Sequence, residues 1–519
     1  MESSIIGYSR GDLSAKTFQA FNPRTGKNLS ANYAHASEDD VSRACDLAKN
    51  SALELAQLDG KSKGIFLRTL ASGIEEIIDD LVVTMMAETG LPEPRVRAEA
   101  GRTSGQLRMF AELVEEGSWV DARIDLGQAD RQPLPKPDLR SMLRPIGPVA
   151  VFCASNFPLA FSVAGGDSAS AWAAGCPVLV KAHHAHPGTA LLIGQKVVES
   201  LKACNWPEGS FSLLFGDGRT IGKSLVEHPA IKAVGFTGSR TGGRALFDLA
   251  SKRPEPIPVF AEMSSINPIF VFSGMSTEQT EEFASGLLGS ATLGVGQFCT
   301  NPGVVFHPGG EWGDHFAKLY SRMMQEISAS PMLHDGILSA YENGLNSLSS
   351  CEGVKSLHRA SSKEIVEGSF AGTCVMQTNA RDFLADEAMM EEVFGPSTLL
   401  VSYESQEEMQ KLAKVLEGQL TVSLFGKDID LKKYGELVAI LETKAGRLLF
   451  NQFPTGVEVC PSIVHGGPYP STSDSRSTSV GTGAIFRFSR PVCFQGFPND
   501  WLPDELKDEN PLALRRSEG

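Results

Sequence analysis

Between residues 38 and 116, apolar side chains recur every three to four positions, as at Ile74, Ile77, Ile78 and Leu81, with charged residues between them. That period is helical and predicts a run of helices over this segment. From Pro148 the pattern changes. Short unbroken apolar runs occupy 148–154, 177–182, 211–215 and 231–236, and such runs suit strands buried on both faces. Helical stretches at 168–174 and 189–203 lie between them. Strand alternating with helix predicts βαβ units and a parallel sheet, whose ligands bind at the carboxyl ends of the strands. A second α/β region is expected from about residue 262 to 467. Asn22-Pro23-Arg24-Thr25-Gly26 predicts a turn. The polar, proline-bearing stretch 121–137 reads as a linker or exposed arm. Residues 466–483, rich in Ser, Thr, Gly and Pro, read as an ordered loop between hydrophobic strands.

Length and charge narrow this picture. A chain of 519 residues exceeds what one core supports, so two or three domains are expected. The net charge of −15 argues against nucleic acid or an anionic membrane as a main partner, since both require a basic face. Nine scattered cysteines with no CxxC pair fit free thiols in a reducing compartment. The first residues lack a basic region followed by an apolar core, so no secretory signal is read. The apolar stretch 146–165 is interrupted by Pro148, Asn156 and Pro158 and is too broken to span a bilayer. A cytoplasmic location and a small-molecule partner are expected. The ten histidines show no HExxH spacing. His183, His184 and His186 cluster on a predicted loop, and no metal site is expected.

Three polar residues stand in settings that suit acyl chemistry. Cys299 lies on a loop with Gly294 and Gly296 before it and Pro302-Gly303 after it. A loop thiol can act as a nucleophile, an amide such as Asn156 can hold an oxyanion, and a carboxylate such as Glu262 can act as a base. Cys299 and Asn156 each have an ordinary alternative, a structural thiol and an Asx turn before Pro158. Ser239, in Phe236-Thr237-Gly238-Ser239, suits a helix N-terminus that faces a phosphate, or a plain N-cap. Lys181 and Arg219 follow separate strands, where basic groups can hold a ribose or phosphate or be simply solvated. Glu392 and Phe394 belong to Glu391-Glu392-Val393-Phe394-Gly395-Pro396, which suits either a ribose and ring contact or a loop cap. No GxGxxG fingerprint is present.

Taken in order, these segments resemble the aldehyde dehydrogenase superfamily. The pieces that carry the likeness are Asn156-Phe157-Pro158, the run from Ala174 to Lys181, Phe236-Thr237-Gly238-Ser239, Glu262 with Asn267-Pro268, Gly296-Gln297-Phe298-Cys299 and Glu392-Val393-Phe394-Gly395-Pro396. The resemblance implies an α/β fold of two doubly wound Rossmann-like domains plus a small bridging β arm. On that basis residues 1–125 and 146–261 are expected to form the cofactor-binding domain and 262–470 the catalytic domain. Residues 126–145 and 484–500 would form the bridging arm, and 501–519 a C-terminal tail. A homodimer or homotetramer is implied. Cys299 would be the nucleophile, Asn156 and the Cys299 N–H the oxyanion hole, and Glu262 the general base. Lys181 and Glu392 would hold the cofactor riboses, Ser239 the pyrophosphate and Phe394 the nicotinamide side.

Two departures from the family pattern matter. Met263-Ser264-Ser265 stands where most members carry Leu-Gly-Gly, which puts the movement of Glu262 in question. His184 stands where many NAD users carry a ribose-binding Glu. A histidine does not repel a 2′-phosphate, and Arg219 lies on the next strand-end loop, so NADP is expected as the preferred cofactor with NAD also usable. The segments Gly456-Val457-Glu458-Val459-Cys460, 465–470 and 490–495 resemble the 2,5-dioxovalerate (α-ketoglutaric semialdehyde) dehydrogenase branch. The expected reaction is therefore oxidation of that semialdehyde to 2-oxoglutarate. The alternatives are a long-chain fatty aldehyde substrate, a CoA-acylating reductase, or a non-catalytic binding protein.

Overall fold

The computed structural model describes residues 1–13, 16–360 and 367–518. The helical stretch resolves into four helices, Glu38–Leu55, Gly60–Glu76, Ile78–Thr89 and Glu93–Glu116. The breaks follow local chemistry. Ser37 and Asp59 cap the first two by accepting backbone N–H bonds from Asp40 and Ser62. Gly90 and Gly117 end the last two in left-handed conformations.

The first sheet runs Val259–Glu262, Ala233–Thr237, Val149–Phe152, Val178–Lys181, Phe211–Leu214, with Ile5–Ile6 and Ser9–Arg10 added antiparallel at the far edge. Its five inner strands are parallel. Chain order reverses between Val149–Phe152 and Ala233–Thr237, the kind of switch point at which open α/β sheets bind ligands. Val149, Val151, Val178 and Val180 pack into one core, while Ala150, Phe152, Leu179 and Val234 pack into another on the opposite face. The sheet is therefore covered on both sides, as unbroken apolar strands require.

A second sheet has the order Lys355–Arg359, Cys374–Asn379, Ser397–Tyr403, Val304–Pro308, Ile269–Val271, Gln419–Phe425, Ala445–Phe450. All but the first strand are parallel, and two further cores flank it. A four-stranded sheet joins Ser489–Gln495, Leu139–Pro145, Arg123–Asp125 and Ser517–Glu518. The last described residues thus belong to this small sheet. Asn22–Gly26 forms the expected turn, where Gly26 donates to the Asn22 carbonyl and links Thr17–Asn22 to Lys27–Ala34. No helix among the described residues is long and apolar enough to cross a membrane.

Candidate active site

Three adjacent strands of the first sheet deliver polar groups to one place. Asn156 follows Val149–Phe152, Ser239 follows Ala233–Thr237, and Glu262 ends Val259–Glu262. Cys299 arrives from the other sheet. After helix Thr277–Thr292, the chain turns through Gly294, Val295 and Gly296 at φ of 57°, 61° and 65°. A β-branched valine in the left-handed region is strained, and such strain concentrates where a loop must hold one shape. At Gly296 a Cβ would lie 2.3 Å from the Gly395 carbonyl, so only glycine lets this loop seat on the 392–396 segment.

These elements enclose a cavity of about 550 Å³ whose wall includes Asn156, Ser239, Glu262, Cys299, Glu392 and Phe394. Lys181, His184 and Arg219 are not on that wall. Lys181 is buried at its strand end, and its side chain makes no hydrogen bond to a described residue. Its charge interacts with Asp217, and burial lowers its pKa. His184 is exposed, and its ring lies 4.4 Å from that of His183 and 5.3 Å from that of His334. Arg219 is exposed in a loop held by Asp217, which accepts the Arg219 and Thr220 N–H groups. Its side chain forms no hydrogen bond or ion pair with a described residue.

The reacting end of the cavity is tightly organised. His465 Nε2 lies 3.3 Å from Cys299 Sγ and 2.9 Å from Glu262 Oε1. Ser479 donates from Oγ to Glu262 Oε2 at 2.6 Å. Burial pushes the Glu262 carboxyl up, but the close His465 ring, the Ser479 hydroxyl and the thiol together outweigh it. The carboxyl therefore sits below its ordinary value and stays ionised near neutrality. Burial and the facing Glu262 carboxylate push the Cys299 thiol well above its ordinary range, so the resting sulfur carries its proton. Asn156 donates from Nδ2 to the Gln297 carbonyl at 3.1 Å, across to the cysteine loop rather than into a local turn. One Nδ2 hydrogen remains for a ligand.

The Met263-Ser264-Ser265 departure has a structural use. The Ser264 hydroxyl and the Ser265 N–H lie toward the Glu392 carboxyl and favour its ionised form, but burial outweighs them and raises its pKa to about 7. Ser265 also donates to Gln419 Oε1. The loop over 466–481 lies along the edge strand: Met263 donates to the Ser471 carbonyl and Ser473 to that of Ala261. Backbone on both sides of Glu262 is thereby fixed.

Sequence reasoning did not mark His465 or Ser479 as site residues. Both come from this irregular loop, where neither period nor strand position points inward. The His465-Gly466-Gly467 segment stood out only as a branch motif. The cluster of His183, His184 and His334, with ring nitrogens within 4.8 Å of one another, also escaped notice as a unit, because His334 comes from a distant helix N-cap.

With this geometry in view, comparison with known proteins is direct. The aldehyde dehydrogenase family model matches residues 11–479. The chain belongs to the aldehyde dehydrogenase family. It is 47% identical over 513 residues to alpha-ketoglutaric semialdehyde dehydrogenase 2 of Azospirillum brasilense, covering 99% of this chain and 97% of that protein. It is 41% identical over 513 residues to alpha-ketoglutaric semialdehyde dehydrogenase of Acinetobacter baylyi, with the same coverage. Among solved structures, betaine aldehyde dehydrogenase from Staphylococcus aureus in complex with NAD+ superposes with a TM-score of 0.81 at 19% identity, covering 97% of each chain. A 3,6-anhydro-L-galactose dehydrogenase gives 0.81 at 20% identity, covering 95% of this chain and 99% of that one. These likenesses bear out the α/β aldehyde dehydrogenase-like fold. The protein is an NAD(P)-dependent aldehyde dehydrogenase. The cavity suits a dinucleotide: Thr237, Gly238, Ser239 and Gly242 line it where helix Arg240–Ser251 begins, so the positive end of the helix dipole faces an incoming phosphate.

Proposed function

We propose that this aldehyde dehydrogenase oxidises 2,5-dioxovalerate to 2-oxoglutarate and releases the free acid. The observation that carries this reading is the convergence of Cys299, His465 and Glu262 at one end of the cavity. Identity of 47% and 41% to relatives named for this semialdehyde supports the substrate.

Cys299 Sγ attacks the aldehyde carbon as His465 Nε2, 3.3 Å away and unprotonated in the neutral Nδ1–H tautomer, takes the thiol proton. The C=O pair moves onto oxygen, and Asn156 Nδ2 and the Cys299 N–H stabilise the oxyanion. Bound nicotinamide supplies a hydride acceptor, and loss of the hydride leaves a thioester on Cys299. Glu262 then takes a proton from water. The hydroxide adds to the thioester carbon, and the C–S bond breaks to return the thiolate and a carboxylic acid. Lys181 and Glu392 would hold the ribose hydroxyls, the helix end at Ser239 would hold the pyrophosphate, and Phe394 would flank the nicotinamide. His184 and Arg219 favour NADP while still admitting NAD. Residues 1–125 and 146–261 serve the cofactor, 262–470 the chemistry, and 126–145 with 484–500 the assembly of a homodimer or homotetramer in the cytoplasm. Residues 501–519 follow as a tail.

Initial rates on aldehydes from 2,5-dioxovalerate to dodecanal, each with NAD and NADP, test this. The highest kcat/KM is expected for 2,5-dioxovalerate with NADP, with 2-oxoglutarate as product. A preference for dodecanal, or acyl-CoA formation when CoA is added, would refute it.

A further inference from the structure

The helix Glu93–Glu116 places Arg95, Glu99 and Arg102 at positions i, i+4 and i+7, which share one face. That face looks onto the apolar wall beside the thiol. The Arg95 guanidinium lies 4.5 Å from the centre of the Phe157 ring and 5.2 Å from that of Phe298, the residue before Cys299. The Arg102 guanidinium lies 5.6 Å from Phe157 and 5.5 Å from Phe161. Phe161 in turn lies 6.2 Å from the His465 ring that touches Cys299 Sγ. Arg102 is therefore linked to the Cys299 sulfur through two rings, Phe161 and His465.

The two arginines differ in their partners. Arg95 pairs with Glu99 Oε2 at 2.7 Å. Arg102 forms no hydrogen bond or ion pair with any described residue, and its Nε is buried without a partner. Both carboxylates whose charge it feels are already committed. Glu99 Oε1 accepts from the Leu159 and Ala160 N–H groups, and Glu262 is held by His465 and Ser479. Arg447, across the site, also interacts with Cys299, but it donates to the Pro454 and Gly456 carbonyls. A guanidinium that is partly withdrawn from water without a counterion is costly, and the described residues supply none.

We propose that Arg102 is the specificity-determining cation of this enzyme, and that it binds the carboxylate at the far end of an aldehyde acid while Cys299 attacks the aldehyde. The inference rests on the semialdehyde reading above and names the residue that recognises its anionic end. Four C–C bonds separate the two ends of 2,5-dioxovalerate, a reach of about 5 Å when extended. The planar guanidinium can donate to both carboxylate oxygens side by side. The phenyl rings of Phe157 and Phe161 hold the guanidinium by cation–π contact and keep water from competing. Phe157, Phe161 and Phe298 offer the intervening methylenes an apolar wall. An unbranched fatty chain would instead leave the cation unpaired against hydrocarbon, which disfavours that class of substrate.

The test compares 5-oxopentanoate with pentanal, which share a five-carbon length and differ in the terminal carboxylate, alongside 2,5-dioxovalerate. Wild-type enzyme should prefer both acids. In Arg102→Met, which keeps the stem against the rings, kcat/KM for the acids should fall by about tenfold to several hundredfold, mainly through KM. Pentanal should change less than about threefold, and Arg102→Lys should recover part of the loss. Glutarate should protect Cys299 from iodoacetamide in wild type and not in Arg102→Met, which gives a readout independent of turnover. Equal losses on acids and pentanal, or retained glutarate protection, would overturn the role of Arg102 while leaving the substrate reading intact. A wild-type enzyme indifferent to the carboxylate would overturn both.

Discussion

His465 Nε2 and Glu262 Oε1 lie 2.9 Å apart in a buried contact, each side chain no more than 2% exposed. The same nitrogen stands 3.3 Å from Cys299 Sγ. One imidazole nitrogen thus faces both the proposed nucleophile and the proposed base, so that in the proposed mechanism a proton taken from sulfur would arrive beside the carboxylate. Because burial and Glu262 raise the thiol pKa, a protonated resting thiol needs such an acceptor.

His465→Gln should therefore lower kcat by about a hundredfold to ten-thousandfold, the range of a lost general base. Iodoacetamide should also alkylate Cys299 more slowly at pH 7 to 8, measured by mass spectrometry of the modified peptide. Unchanged alkylation would mean that the imidazole only positions Glu262.

Glu262→Gln should preserve the first hydride transfer and slow thioester hydrolysis. Stopped-flow absorbance should show a burst of reduced nicotinamide followed by a slow steady state. Loss of the burst along with turnover would assign Glu262 to thiol activation instead.

Arg219→Ala should weaken NADP far more than NAD. A charge-assisted bond to a 2′-phosphate contributes about 1.5–3 kcal/mol, or about tenfold to a hundredfold in Kd. His184→Glu should repel the same phosphate and favour NAD. Calorimetry at fixed salt measures both. An equal loss for the two cofactors would place Arg219 elsewhere in binding.

Glu392 gives a stability prediction with a defined sign. Burial raises its folded pKa to about 7, above the ordinary carboxyl value. A raised acid pKa favours the folded state while the group is protonated. That contribution is lost as pH rises from the unfolded value through about 7. Glu392→Gln cannot ionise, so its Tm relative to wild type should increase between pH 5 and pH 8. A difference that stays flat across this range would count against a buried, titrating Glu392.

Much of the fold was legible because it rests on period and punctuation. Val149–Phe152 and Val178–Lys181 read as strands because their apolar runs are short and unbroken, and they are buried on both faces. Asn156, Ser239 and Glu262 were legible as candidates because strand ends collect ligands in parallel sheets. His465 and Ser479 were not, since they sit in a loop whose position depends on backbone bonds to the edge strand, such as Met263 to Ser471. The partnerless state of Arg102 was equally hidden. Its helical spacing from Arg95 and Glu99 is written in the chain, but the commitment of Glu99 to Leu159 and Ala160 exists only once the helix and the Asn156 loop meet.

The central claim is that a semialdehyde passes through an acyl group carried by Cys299. Acid-quenched Glu262→Gln enzyme, mixed with 2,5-dioxovalerate and NADP, tests it by intact and peptide mass spectrometry. The account predicts one 2-oxoglutaryl group per chain on the peptide that contains Cys299, absent in Cys299→Ala/Glu262→Gln. An adduct on another cysteine, or no adduct in an enzyme that still shows the nicotinamide burst, would contradict it.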